Sequence, residues 1–145
     1  MESATSIRSA READLDALTD VWERAASTSH AFMDPDDFAA LRPAIRDAYL
    51  PSMDVHLVEA EGRPVAFVGA RGAHVELLYV DPPFQGQGLG RRLLAVVGEH
   101  GATSVEVYAD NPVGVAFYRS QGFVEVRRRE RDAGDRPYPM VVLHR

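Results

Sequence analysis

Between residues 85 and 91 the chain reads Gln85-Gly86-Gln87-Gly88-Leu89-Gly90-Arg91. Glycines at alternate positions remove Cβ atoms where several backbone N–H groups must point outward together. The stretch runs straight into a helical pattern, and the first amides of a helix are unpaired and partly positive. Loop and helix start therefore make a cradle for an anion such as a pyrophosphate. A P-loop needs Gly-x-x-x-x-Gly-Lys-Ser/Thr, and all 16 basic residues of this chain are arginine, so that kind of triphosphate site is set aside. The dinucleotide fingerprint, Gly-x-Gly-x-x-Gly in a first βαβ unit, does not match a Gly-x-Gly-x-Gly loop late in the chain.

Just upstream, the alternating run Ala73 to Val80 is expected to place His74, Glu76, Leu78 and Val80 on one face of a strand. A carboxylate or an imidazole there could draw a proton directly or through water, so Glu76 and His74 are both candidate bases; each could equally be exposed or paired across strands. His30 and Phe32 lie in the segment Ala26 to Met33, which mixes small polar with large apolar groups and is expected to break a helix. They are candidate substrate contacts. His56, His100 and His144 read as structural or surface residues. No spacing of His, Asp and Glu suggests a cluster of ligands, so no metal is expected.

The 145 residues have room for one domain over 1–145 with a full core, and 46% of them are apolar. There is no cysteine, which excludes disulfides, thiolate metal sites and a cysteine nucleophile. The first twenty residues are polar and acidic, and no later apolar run approaches membrane-spanning length; a soluble, cytoplasmic protein is expected. A net charge of −6, with the one basic run Arg127 to Arg131 interrupted by Glu130, argues against nucleic acid as a partner.

The elements that must position these groups follow from local patterns. Thr5 to Arg8 is a short strand, and Ser9 with Glu12 forms a capping box opening a helix whose apolar stripe is Leu15, Leu18, Val21, Trp22 and Ala25. Asp34 caps a second helix with Pro35 in its first turn, running through Phe38, Leu41, Ile45 and Tyr49 to Pro51. Val55 to Ala60, Pro64 to Ala70 and Ala73 to Val80 are consecutive antiparallel strands. A helix from Arg91 to Gly101 and a strand from Thr103 to Ala109 come next. Asn111 caps a helix with Pro112 at its first position and Gly122 as its stop. Phe123 to Arg131 and Pro137 to His144 complete about seven strands, the last a plausible edge for dimer pairing, so the chain is monomer or homodimer. The order is β-α-α-β-β-β-α-β-α-β-β, a mixed α/β layer fold.

Two motifs carry a resemblance that covers nearly the whole chain. Gln85, Gly88 and Gly90, after a strand ending Val-Asp-Pro, resemble the Gln/Arg-x-x-Gly-x-Gly/Ala pattern of the GNAT superfamily of acyl-CoA N-acyltransferases. Asn111, Ala116, Phe117, Tyr118, Gly122 and Phe123 resemble its second motif, and the two lie at the family's spacing. The segments from Thr28 to Met33 and from Asp135 to Pro139 are similar to a group of small bacterial members of poorly defined substrate.

The resemblance implies a mostly antiparallel mixed sheet with helices on both faces and a splayed parallel pair, Ala73 to Val80 beside Thr103 to Ala109, at the cofactor site. It implies acetyl-CoA as co-substrate, with backbone groups at Leu78, Tyr79 and Val80 holding the pantetheine arm and acyl carbonyl. The amides of Gln85, Gly86, Gln87, Gly88, Leu89, Gly90 and Arg91 would take the pyrophosphate, and Asn111, Phe117 and Tyr118 would also bind the cofactor. Tyr118 would protonate the leaving thiolate and Val80 N–H would serve the oxyanion, with Gly114 leaving room for ligand beside Tyr118. The activity implied is transfer of an acetyl group to an amine of a small molecule or peptide, by direct attack in a ternary complex. The alternative is a degenerate acyl-CoA-binding sensor or interaction module.

Overall fold

The structure is a computed structural model that describes residues 6–145. Strand β1 (Ser6–Ser9) leads through one 3-10 turn into α1 (Leu15–Ser29), and α2 (Pro35–Ala44) follows. Strands β2 (Asp54–Ala60), β3 (Arg63–Arg71) and β4 (His74–Val80) form a meander. Then come α3 (Leu89–Glu99), β5 (Ser104–Tyr108), α4 (Pro112–Ser120), β6 (Val124–Arg129) and β7 (Met140–His144). The element order is the expected one; Thr5 lies outside the described residues.

The start of α1 is not built as the capping box predicted. Ser9 stays in β1, opposite His56. Asp14 does the capping instead: its Oδ2 accepts the Arg11 N–H at 2.8 Å, and the Arg8 guanidinium grips both its oxygens at 2.8 and 2.9 Å. With Arg8 donating to it, Asp14 is held down at about 2. The helix also outlasts the break expected after Ala25 and runs to Ser29, because Ala26 is fully buried and His30 caps the end through Ala26 O.

Asp34 and Pro35 act as predicted, with Asp34 Oδ1 accepting the Asp36 N–H at 2.8 Å. The second helix is not uniform. Pro43 has no N–H to donate, and past it the chain widens into a π turn over Ile45–Tyr49 before a 3-10 turn at Leu50–Ser52.

The seven strands lie in the order β1-β2-β3-β4-β5-β7-β6, and every neighbouring pair is antiparallel except β4 with β5. The final strand is therefore not the edge it was expected to be. β7, with Met140 to Leu143 all buried, is inserted between β5 and β6, and the arginine-rich β6 takes the edge. Helices cover both faces. On one, Leu89, Leu93, Leu94 and Val97 of α3 and Tyr118 of α4 pack on Val58, Val68, Val75, Val105 and Val107. On the other, Leu18, Val21 and Trp22 of α1 with Leu41 and Ile45 pack on Leu57, Phe67 and Leu77. Each such fully buried side chain stabilises the fold by about 1.5–3 kcal/mol.

Helix α4 is pinned to β5 by its first turn. Asn111 Oδ1 accepts the Gly114 N–H at 3.1 Å, and a Cβ on Gly114 would stand 2.6 Å from Asn111 Nδ2 and 3.2 Å from Val107 Cγ1. Close approach of cap and strand requires a glycine here, and Gly114 also lines the cleft described below. Gly114→Ala should therefore destabilise the protein by about 1–3 kcal/mol, as overpacking does, read as a lowered urea midpoint with unchanged m-value.

Candidate active site

The parallel pair β4–β5 joins only at its beginning, His74 opposite Ser104 and Val75 opposite Val105. Beyond that, β4 stays on β3 as far as Val80 opposite Ala66, while β5 stays on β7 as far as Tyr108 opposite Met140. The facing edges of β4 and β5 part and leave backbone groups without a ladder. Asp81 N–H bonds Val65 O on β3 at 2.8 Å, and backbone direction alternates along a strand. The N–H and C=O groups of Val80 and Leu78 thus point into the gap, and Val80 O there accepts the Gln85 side-chain amide at 3.0 Å. Asp81, nearly fully buried, is clamped by both arms of the Arg24 guanidinium at 2.9 Å, which fixes the end of β4 against α1.

After this clamp the chain makes one 3-10 turn and enters the glycine loop. Gly86 and Gly88 adopt φ of +81° and +82°, the left-handed region that side chains resist, and Gly88 is the N-cap of α3. The first intrahelical bond runs from Arg92 N–H to Gly88 O, so the amides of Leu89, Gly90 and Arg91 precede the ladder. No side chain caps this end. The helix begins at Leu89, and the Leu89 side chain is buried in the core, leaving only its main chain to the loop. Arg91 folds back so that its guanidinium lies 3.5 Å from where a Gly88 Cβ would be. A Cβ on Gly90 would touch the Phe117 ring at 3.4 Å, so that glycine lets α3 and α4 meet.

Gap and loop are parts of one cleft of about 580 Å³. Leu78, Tyr79, Val80, Gln85, Gly86, Gly88, Leu89, Gly90, Arg91, Asn111, Phe117 and Tyr118 line it, as do His74, Glu76 and His30. Gln87 and Phe32 do not; Gln87 is exposed, and Phe32 packs behind the wall on Tyr108 and Tyr138.

The expectation that His74, Glu76, Leu78 and Val80 share a face is overturned. Opposite β3, Gly69 faces Leu77 but Ala70 faces Val75, so Glu76 is an extra residue, a bulge that resets the alternation. Leu78 and Val80 pack on the α3 side of the sheet, and Leu77 and Tyr79 on the α1 side. His74 and Glu76 belong with the latter. Glu76 lies 3.5 Å from Arg71. His74 Nδ1 meets Ser104 Oγ at 2.7 Å, and its Nε2 is 3.6 Å from Glu106, which also receives a hydrogen bond from Arg129. Glu106 was missed in the sequence, although it alternates with Ser104 and Tyr108 on the strand that faces His74.

His30 is no solvated loop residue. It is buried at the end of α1, with Nδ1 2.9 Å from Ser29 Oγ and Nε2 3.4 Å from the Tyr79 hydroxyl. The rings of Phe32, Phe38, Tyr79 and Tyr108 surround it. Burial pushes its imidazole down to about 4 and the Tyr79 hydroxyl up to about 12. Tyr108 donates to Asp132 at 2.9 Å, and Tyr138 donates to Asp37 at 2.6 Å while accepting the Asp34 N–H, so the start of α2 is tied to the loop before β7. Tyr118, buried on the opposite face against Phe117 and Phe123, is also pushed well above its ordinary value by burial and then by nearby Tyr79, and stays protonated.

A backbone-lined gap beside an anion cradle, with titratable groups on the far side of the sheet, defines a class of acyl-CoA enzyme. Residues 17–144 match the family model for an acetyltransferase (GNAT) domain, and the chain belongs to that family. It is an acetyl-CoA-dependent N-acetyltransferase. Among similar proteins is the peptidyl-lysine N-acetyltransferase YjaB of Salmonella typhimurium, 31% identical over an alignment of 144 positions that covers 95% of this chain and 96% of that one. The solution structure of apo YjaB from Escherichia coli matches with a TM-score of 0.87 and 29% identity over 97% of each chain. The PaiA N-acetyltransferase of Thermoplasma acidophilum, solved with coenzyme A, shares the fold at a TM-score of 0.75 and 16% identity, over 98% of this chain and 99% of that one. No helix among the described residues is long and apolar enough to cross a membrane.

The His30 environment has a pH signature. An imidazole lowered to about 4 in the fold and near 6.5 when unfolded binds fewer protons folded, so stability is full above 6.5 and falls as pH drops toward 4. Between pH 7 and 4.5 this loss should be on the order of 2 kcal/mol. Urea unfolding at the two pH values should give a distinctly smaller loss for His30→Gln than for the wild type; equal losses would show that His30 is not buried neutral.

Proposed function

We propose that this N-acetyltransferase acts on the side-chain amine of lysine in a peptide or protein, by direct attack in a ternary complex. The observation that carries this is the placement of two carboxylates, Glu76 and Glu106, on the acceptor side of the gap, where a cationic amine must arrive. The near whole-length similarity to peptidyl-lysine N-acetyltransferases supports the same acceptor.

Acetyl-CoA supplies an electrophilic thioester carbonyl and a thiolate leaving group. The chain fits it in three places. The glycine-loop and α3 amides from Gly86 to Arg91 suit the diphosphate. The open edge at Leu78 and Val80 needs hydrogen-bond partners, which an amide-rich pantetheine arm offers. Phe117 and Asn111 flank the passage between them.

Three demands remain for the protein: a proton taken from the amine, a donor for the oxyanion, and a proton for the thiolate. Val80 N–H, directed into the gap, serves the oxyanion. Tyr118, kept protonated by burial, serves the thiolate. Glu76 is the better placed base. On a strand rising about 3.3 Å per residue it stands two positions nearer than His74 to the Val80 end; both are paired, Glu76 with Arg71 alone and His74 with Ser104 and Glu106. His30 and Tyr79 wall the acceptor channel, with the Tyr79 ring on that side of the sheet rather than against the cofactor. The need for acetyl-CoA suits the cytoplasm.

Thiol release from acetyl-CoA, followed across lysine peptides, peptides with only an N-terminal amine and small amines, should give the highest kcat/KM with the lysine peptides and an Nε-acetyl product. Turnover confined to N-terminal or small amines would reject the lysine acceptor. Glu76→Gln should lower kcat about 100-fold or more and abolish the acidic limb of the pH–rate profile. Tyr118→Phe should lower kcat while the Kd for coenzyme A, measured by calorimetry, stays within about twofold; unchanged turnover would remove its donor role.

A further inference from the structure

The face of the sheet that carries α3 holds a second group of potential ligands, away from the cleft. Asp54 and His56 open β2, and two-residue alternation sends both toward α3, while Val55 and Leu57 between and beyond them enter the α1 core. His100 closes α3 at its C-terminal end. Residues distant in sequence meet because the helix lies along β2. One donor atom from each of Asp54, His56 and His100 lies within 4.8 Å of the others. The His100 Nδ1 stands 3.7 Å from Asp54 Oδ2, and the two imidazole rings are 5.4 Å apart between centroids.

A second observation is independent of that proximity. His56 is 8% exposed, and its Nδ1 is fully enclosed without a hydrogen-bond partner. A buried polar nitrogen left unpaired costs free energy that a bond to a cation would recover.

We propose that Asp54, His56 and His100 form a binding site for a divalent transition-metal ion, with Zn²⁺ the best suited. Two imidazoles and one carboxylate are a nitrogen-rich borderline donor set; calcium and magnesium call for oxygen ligands instead. Zinc bonds of about 2.0–2.1 Å in a tetrahedron put ligand atoms about 3.3 Å apart. The group reaches that spacing by rotating the exposed side chains of Asp54 and His100 toward the fixed, buried His56. Water takes the fourth position on the solvent side. The ion ties the beginning of β2 to the far end of the helix whose first turn forms the anion cradle, so it stabilises the fold without entering the acetyl-transfer chemistry. None of the three residues lines the cleft.

The test uses the full chain after chelator treatment and dialysis. Calorimetric titration with Zn²⁺ should give one site, and Co²⁺ should develop the intense visible absorption of a four-coordinate ion. Asp54→Asn and His100→Ala are surface changes that keep the fold, and each should weaken Zn²⁺ by about 100-fold or more, since losing even an outer-shell partner costs about 10–100-fold. His144→Ala should leave the affinity unchanged. Zn²⁺ should raise the thermal midpoint of the wild type and not of His100→Ala. The proposal is overturned if the wild type binds Zn²⁺ no better than the Asp54→Asn/His100→Ala double variant, or if binding is lost with His144→Ala instead.

Discussion

The structure turns on the divergence of β4 from β5 after Val75. Each strand is fully paired on its other side, β4 with β3 and β5 with β7, so neither can bend to follow the other. The cost of that divergence is a set of backbone donors and acceptors without a ladder, and buried groups of that kind must find partners. The surrounding packing keeps the gap from closing. On one side Arg24 grips Asp81 and anchors the end of β4 to α1; on the other, Asn111 and Gly114 hold the first turn of α4 against Val107 of β5. Tyr118 enters the core between them.

The sheet then separates two tasks by its faces. The α3 side carries the glycine loop, Leu78, Val80 and Tyr118, which suit a long polar arm ending in a diphosphate. The α1 side carries His30, Tyr79, Glu76, His74 and Glu106, which suit a cationic acceptor. A single extra residue, Glu76, moves the chain from one assignment to the other, since it turns the pleat so that the last residues of β4 present different faces from the first. On the proposed assignment the two reactants would reach the gap from opposite sides of one strand and meet at the parted edge.

Much of this was legible because it is local. The glycine loop, the Asp34 and Asn111 caps with their following prolines, and the strand periods of β2 to β5 are written in a few consecutive residues each. What was not legible depends on register or on contacts far apart in the chain. The bulge at Glu76 leaves no mark in an alternating sequence, so the shared face predicted for His74 through Val80 failed there. Asp14 displaced the Ser9 capping box because Arg8 of β1, itself held by Glu59 of β2, grips it. The group Asp54, His56 and His100 is assembled by the crossing of α3 over β2. The place of β7 had a readable signal: four consecutive apolar residues belong inside a sheet, and the consecutive arginines Arg127 to Arg129 of β6 belong on its rim.

The ion pairs that hold this architecture, from Arg8 with Asp14 to Arg24 with Asp81 and Arg129 with Glu106, all use guanidinium groups on the cationic side wherever histidine does not serve. A guanidinium keeps its charge and is a poor nucleophile at neutral pH, whereas lysine ammonium groups can lose a proton and be acylated. A catalyst that spends its life beside a reactive thioester thus carries no side-chain amine that the reagent could neutralise. Acylation of a side-chain amine therefore cannot unpick the ion pairs that keep its strands apart.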